Sequence, residues 1–319
     1  MYLSDTIKHA GADRFGFDLK DAVRLGGGGA PDGFVLANPR DPVVIKFMPA
    51  TEDRLPVMRA KMDFVNYLRA GGVPTPGYLP SVNEEMIELV SDEEATFAVM
   101  TLHKAPGKPV DFRNPAEWNA HFFRQWGNIL GQIHALSATY TAASRAAIPA
   151  WEEEHAFFCT MCQDDPGILA QWQRIGAQVR DLPQSTDAFG PIHNDAHSHN
   201  FLLHEGSLTI LDFDVCTRHW FALDLAIALF HPIFESRHRP AAEVAAFARE
   251  LTDHFLAGYD DAYTLDPSWL DHLALFMRYR RTLFYIVLPK DGGDPWTQRT
   301  VRDLRPMILD NVPPVTGLV

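Results

Sequence analysis

Basic residues are in short supply: 28 Lys and Arg stand against 41 Asp and Glu in 319 residues, a formal net charge of −13. Neutralising nucleic-acid phosphates takes clustered cations, so the deficit argues against a DNA- or RNA-binding function and suits a cationic or polyol ligand. Cysteine is scarce too. Cys159, Cys162 and Cys216 make an odd count of three, which does not suggest a disulfide framework. Cys159 and Cys162 alone are too few thiolates for structural zinc, and their spacing of three puts both on one face of a helix. No apolar run reaches the roughly 18 residues that a membrane-spanning helix requires. Residues 1–18 have neither the basic start nor the apolar run of a secretory signal, so a cytoplasmic location is expected. Internal repeats and low-complexity tracts are lacking as well.

What is present is apolar content, 46% of residues, enough for one large or two modest globular domains. Residues 21–25, 34–37 and 43–47 read as strands, with Gly26-Gly27-Gly28-Gly29 and Ala30-Pro31-Asp32-Gly33 between the first two. A glycine turn of this kind lets the backbone approach phosphate groups without side-chain obstruction, which makes Gly27 and Gly28 candidate contacts. No Gly-Lys-Ser/Thr closes the run and a strand follows it, so P-loop chemistry is excluded; taken alone, the run also fits a floppy hairpin. Lys46 sits inside the apolar strand Val43-Val44-Ile45-Lys46-Phe47, where a buried amine needs an anionic partner; the other reading is an edge-strand lysine facing solvent. Leu55, Met58, Met62, Val65 and Leu68 predict a helix over 51–69 with Thr51 as its N-cap. Strands follow over 84–90 and 95–100, then the Pro- and Gly-rich linker 104–109. Asn114, Pro115 and Glu117 predict the start of a long helix whose stripe of Trp118, Phe122, Trp126, Ile129, Leu130 and Ile133 runs to His134. Two short helices broken at 164–167 come next, and amphipathic helices over 243–259, 266–289 and 294–307 close the chain.

The chemistry concentrates in 191–230. Asp195 is followed five residues later by Asn200, and the apolar run 208–211 delivers Asp212-Phe213-Asp214. Moving a γ-phosphoryl group through a loose transition state asks for placed charge: hard oxygen ligands for Mg2+ and an acceptor for a departing proton. Asn200 and Asp212 are ligands of that type, Asp195 is then free to act as base, and Asp214 is a candidate second-metal ligand or substrate contact. The segment is also dense in imidazole. His193, Asp195, His197 and His199 could instead hold a transition metal for a hydrolase, or be ordinary loop polar groups.

The run His193-Asn194-Asp195-Ala196-His197-Ser198-His199-Asn200 with Ile210-Leu211-Asp212-Phe213-Asp214 resembles the aminoglycoside phosphotransferase and choline kinase superfamily, with its stress-response and spore-coat kinase-like branches. In that superfamily the loop reads H-G-D-x-H-x-x-N, so Asn194 stands where Gly is usual. Residues 220–226 resemble the family's helix with a structural Asp, here Asp224, and Val73-Pro74-Thr75-Pro76 its proline turn. The resemblance implies an α+β, bilobal protein-kinase-like fold: a small antiparallel-sheet lobe over 1–101 binding the nucleotide, a hinge and linker over 102–115, and a helical lobe over 116–319. It implies ATP and Mg2+ as cofactors, a small-molecule hydroxyl as acceptor, Lys46 on the non-transferred phosphates, and the hinge residues Thr101 and His103 at the adenine. The helix acid that usually partners the lysine falls near Lys61, leaving Asp63 or Glu52 as candidates. Arg278, Arg280 and Arg281 either reach an acidic or phosphorylated substrate or pair with carboxylates. A protein Ser/Thr kinase of the stress-response type and a silent nucleotide-binding module are the competing functions.

Overall fold

The structure, a computed structural model, describes residues 3–25, 34–38 and 42–313. In chain order the elements are α1 (Asp5–Phe15), β1 (Val23–Arg24), β2 (Phe34–Ala37), β3 (Val43–Pro49), α2 (Arg54–Ala70), β4 (Tyr78–Leu79), β5 (Glu88–Ser91), β6 (Thr96–His103) and β7 (Lys108–Pro109). Then come α3 (Ala120–Thr139), α4 (Trp151–Met161), α5 (Pro166–Arg180), β8 (Phe189–Ile192), β9 (Phe201–His204), β10 (Ser207–Ile210), β11 (Thr217–Trp220), α6 (Phe221–Glu235), α7 (Ala241–Asp260), α8 (Leu273–Val287) and α9 (Pro295–Leu309). The class is α+β, as the sequence predicts. Among the described residues no helix is long and apolar enough to cross a membrane.

Packing divides the chain into two compact units. The first comprises Met1–Val110, Tyr140–Ile148 and His199–Cys216; the second, Asp111–Thr139, Pro149–Ser198 and Thr217–Val319. In the first unit an antiparallel sheet runs β1-β2-β3-β6-β4, with β5 also paired to β6. Side chains alternate across β3 with the period of two that a pleat imposes. Ile45 and Phe47 join Phe97, Val99 and the α1 residues Leu3, Ile7 and Ala12 in one core cluster. Met48 joins Met62 of α2 with Ala98 and Met100 on the other face, which is therefore the face that carries Lys46. The sheet is thus covered on one side by α1, a helix the sequence reading did not contain, and on the other by α2. Ser4 caps α1 by accepting the Ile7 N–H at 3.2 Å, and Gly16 closes it at φ 62°.

Local hydrogen bonding moves several predicted boundaries. Thr51 is not the N-cap of α2, which starts at Arg54; the Thr51 carbonyl accepts the Arg54 and Leu55 N–H groups at 3.1 and 3.2 Å. The strand predicted over 84–90 begins only at Glu88. Glu84 takes φ 65° in a turn whose Asn83 and Glu85 N–H groups bond to the Ser81 hydroxyl. Asn114 closes a turn by accepting the Ala116 N–H, and α3 begins six residues later, where the Asn119 carboxamide receives the N–H groups of His121 and Phe122. Residues 267–272 form a 3-10 turn capped by Asp266, so the helix predicted over 266–289 is α8 alone, Leu273–Val287.

In the second unit α6 is buried from Phe221 to Phe234 and apolar there except for Asp224 and His231, the pattern of a central helix. α3 and α7 meet backbone to backbone: a Cβ added to Gly127 would lie 1.9 Å from the Phe255 carbonyl oxygen, and one on Gly258 would lie 1.9 Å from that of Arg124. Neither backbone can give way without separating the helices. Gly127→Ala is therefore expected to lower unfolding free energy by about 1–3 kcal/mol or more, read from urea denaturation; wild-type stability in the variant would contradict this close approach.

Candidate active site

In the first unit, β9 and β10 form a hairpin turning through Glu205 (φ 48°) and Gly206 (φ 81°), with Phe201 opposite Ile210. Asn200 precedes β9 and Asp212 follows β10, so the hairpin register brings the two to its open end, where the Leu211 N–H bonds to the Asn200 carbonyl at 2.9 Å. The Ile210 N–H reaches the Pro74 carbonyl at 2.9 Å, tying the hairpin to the proline turn. Asp212 has φ 68°, a left-handed backbone that Asp and Asn tolerate best among L-residues and that tends to persist where surrounding structure enforces it. An amide oxygen and a carboxylate, both hard donors, suit Mg2+ or Ca2+.

Lys46 is buried, and its ammonium is paired with the carboxylate of Asp214. The predicted helix acids do not fill this role: Glu52 and Asp63 are exposed, and α2 contributes Lys61, whose ammonium donates to the Asp214 carbonyl at 2.5 Å. The lysine thus finds its anion on the Asp212-Phe213-Asp214 segment that follows β10 rather than on a helix. Burial alone would lower the Lys46 pKa, but Asp214, with Tyr78 and Asp212 nearby, raises it above the ordinary lysine value. The Tyr78 hydroxyl is pushed up to about 12, chiefly by burial. Thr101 is buried in β6 between β3 and β4, its hydroxyl donating to the Leu79 carbonyl at 3.4 Å, and His103 ends that strand exposed, its N–H bonded to the Gly77 carbonyl. Gly27 and Gly28 lie outside the described residues.

In the second unit the loop after β8 carries Asp195. Asn194 has φ 66°, a conformation that glycine adopts without strain and that Asn tolerates better than most L-residues. Its side chain does what glycine cannot, donating to Glu154 at 2.5 Å. The buried Asp224 accepts the N–H groups of His193 and Asn194 at 2.9 and 2.8 Å, His193 Nδ1 lies 3.3 Å from the Asp195 nitrogen, and Trp126 Nε1 donates to the Ala196 carbonyl at 3.1 Å. The Asp195 carboxylate faces Arg280 Nη2 at 2.5 Å and His197 Nε2 at 3.3 Å. Burial pushes this carboxyl up, yet the guanidinium of Arg280 and the imidazole of His197 outweigh it and hold the group well below the usual carboxylate range. Among the described residues no three His, Cys, Asp or Glu side chains gather as a metal-binding group, so the imidazole-rich loop does not form the hydrolase-type site considered above.

Residues 21–273 match the profile of the APH phosphotransferase enzyme family. This chain belongs to that family. An amicoumacin kinase of Bacillus subtilis (strain 168) is 30% identical over 292 residues, covering 90% of this chain and 85% of the relative. Among solved structures, an amicoumacin kinase in complex with AMP-PNP, Ca2+ and Ami superposes with a TM-score of 0.87 at 23% identity, covering 99% of this chain and 96% of that one. A microcompartment-associated aminopropanol kinase gives a TM-score of 0.73 at 15% identity, with 96% and 95% covered. The fold is therefore kinase-like. As a member of the phosphotransferase family the protein is a kinase with an alcohol group as acceptor and a small molecule as its substrate class, served by ATP and a divalent metal ion.

Two features of this phosphotransferase escape sequence reading. The pairing of Lys46 with Asp214 needed the sheet and the hairpin together, and the only sequence signal for Arg280 was a basic cluster in an aromatic helix 85 residues from Asp195. The left-handed backbone at Asn194 carries a direct test. Asn194→Gly should lose only the Glu154 bond, about 1–3 kcal/mol, whereas Asn194→Val, which loses the bond and strains the backbone, should be less stable than the glycine variant by about 2 kcal/mol, measured by urea denaturation; equal values for the two variants would rule out the constraint.

Proposed function

We propose that this protein transfers the γ-phosphoryl group of ATP, with Mg2+, to a hydroxyl of a cationic small molecule of the amino-alcohol type. The observation that carries the reading is the pair Asn200 and Asp212, set at the open end of one hairpin with Asp195 five residues upstream on the same loop. In this reading Asp195 accepts a hydrogen bond from the acceptor hydroxyl and takes its proton, Asn200 and Asp212 hold the metal, and Lys46 neutralises the non-transferred phosphates. Mg2+, when bound, offsets the negative charge that collects on the phosphate oxygens. Thr101 and His103 flank the adenine position, and Gly27 and Gly28 lie along the phosphates. Residues 1–101 serve the nucleotide, 102–115 connect, and 116–319 carry the acceptor site with the catalytic and metal-binding loops.

The relatives support a small-molecule acceptor rather than a protein: the names of those compared are kinases of amicoumacin and of aminopropanol. The charge of −13 favours an acceptor that is itself cationic. Retention of all three oxygen-bearing side chains distinguishes the protein from a silent nucleotide-binding relative.

Mg2+-dependent ATP consumption, measured across a panel of amino alcohols, sugars and other hydroxylated metabolites, tests the proposal. Turnover should appear with amino alcohols, and Asp195→Ala should reduce it by about 10²–10⁴-fold. Asn200→Ala and Asp212→Ala should raise the Mg2+ concentration required. Undiminished turnover in Asp195→Ala would remove the assigned base.

A further inference from the structure

The family match ends at residue 273, and α8 starts there, so what this helix contributes to the Asp195 loop comes from beyond the matched stretch. Two consecutive α8 side chains connect to that loop, Tyr279 through Glu154 of α4 and Arg280 directly. The Tyr279 hydroxyl donates to Glu154 Oε1 at 3.0 Å, while Glu154 Oε2 holds the Asn194 carboxamide at 2.5 Å. Arg280 goes to the carboxylate itself: Nε donates to His231 Nε2 at 2.9 Å and Nη2 to Asp195 Oδ1 at 2.5 Å. His231, on α6, accepts through Nε2 and so carries its ring proton on Nδ1. Its ring packs edge-on against Phe284 at 5.0 Å and lies 5.2 Å from the ring of His197. The guanidinium is a planar fork with fixed donor directions, so anchoring Nε fixes where Nη2 points. The Arg280 side chain is 8% exposed and that of Asp195 28%, which leaves the carboxylate open to a reactant while its partner is enclosed.

We propose that Arg280, anchored by His231, is a positioning residue that holds the Asp195 carboxylate in one orientation and ionised, so that Asp195 acts by aligning the acceptor hydroxyl and accepting its proton late. The proposal rests on the reading of Asp195 given above. The charged and titratable groups around the carboxylate are Arg280 from α8, His231 from α6 and His197 from its own loop; Glu235 of α6 interacts with His197, and Glu154 of α4 with the neighbouring Asn194. A carboxylate so surrounded by donors is a weak base. That suffices for a loose transition state, in which the acceptor oxygen bonds to the γ-phosphorus as the bond to the β–γ bridging oxygen breaks, ADP departs, and the hydroxyl proton passes to Asp195 and on to water.

The test combines 13C NMR of the aspartate carboxyl carbons, with Asp195→Asn for assignment, and ATP turnover with Mg2+ using 1-amino-2-propanol and water alone as acceptors. In wild type the Asp195 resonance should stay at its ionised position throughout the range, about pH 3.9, in which ordinary aspartates titrate. In Arg280→Gln it should titrate at or above that ordinary value. In the same variant kcat should fall by about 100-fold while KM for ATP stays within about twofold of wild type. Arg280→Lys, the variant that keeps the buried charge and so serves if Arg280→Gln does not fold, should retain an ionised Asp195 but recover only part of kcat, because it lacks the fork. An unaltered carboxyl titration in Arg280→Gln, full kcat in either arginine variant, or a loss expressed only in KM for ATP would each overturn the proposal. Full turnover in Asp195→Asn would instead defeat the functional role of Asp195, with the NMR result still reporting whether Arg280 controls its ionisation.

Discussion

The second unit is organised around one buried carboxylate. Asp224 has no exposed surface, and its two oxygens accept the backbone N–H groups of His193 and Asn194. A carboxylate can only accept, so His134 Nε2, 3.3 Å away, is the donor, and His134 Nδ1 then accepts from the Tyr259 hydroxyl at 2.8 Å. Burial keeps the His134 imidazole below its ordinary pKa despite the neighbouring carboxylate, so the chain of bonds is that of a neutral ring. One side chain on α6 therefore joins α3, α7 and the loop that carries Asp195. Removing one member of such a set leaves a buried polar group without its partner, a loss of about 1–3 kcal/mol, and more where the carboxylate is the group left short.

The first unit meets a different requirement. It encloses an ammonium, Lys46, in an apolar sheet, which is tolerable only with a compensating anion. Asp214 supplies it, and Lys61 binds the carbonyl of that same residue. The exchange of a helix acid for a helix lysine is thus matched by moving the counter-charge to the Asp-Phe-Asp segment. One residue of each unit also departs from ordinary backbone geometry in the same sense, Asn194 and Asp212, and both are Asn or Asp, the L-residues whose short polar side chains best tolerate left-handed φ.

Much of this was legible in the chain. The spacing from Asp195 to Asn200 to Asp212 and the strand around Lys46 followed from residue type and order, and the structural role of Asp224 from the family resemblance. Helix ends were less so, because capping is decided among near-equivalent candidates: Asn114 and Asn119 both accept the N–H two residues on, and a helix follows only the second. α1 passed unnoticed because its apolar residues are few, although Ile7 and Ala12 complete a core whose other half is the sheet.

The sequence by itself determined the chemistry on offer, since phosphoryl transfer demands particular oxygen and ammonium groups and these are fixed by residue identity. Tertiary structure alone decided which charge faces which. Lys46 meets Asp214 across 168 residues and Arg280 meets Asp195 across 85. Such pairings depend on sheet register and helix placement, and a linear pattern, which records only local spacing, does not contain them.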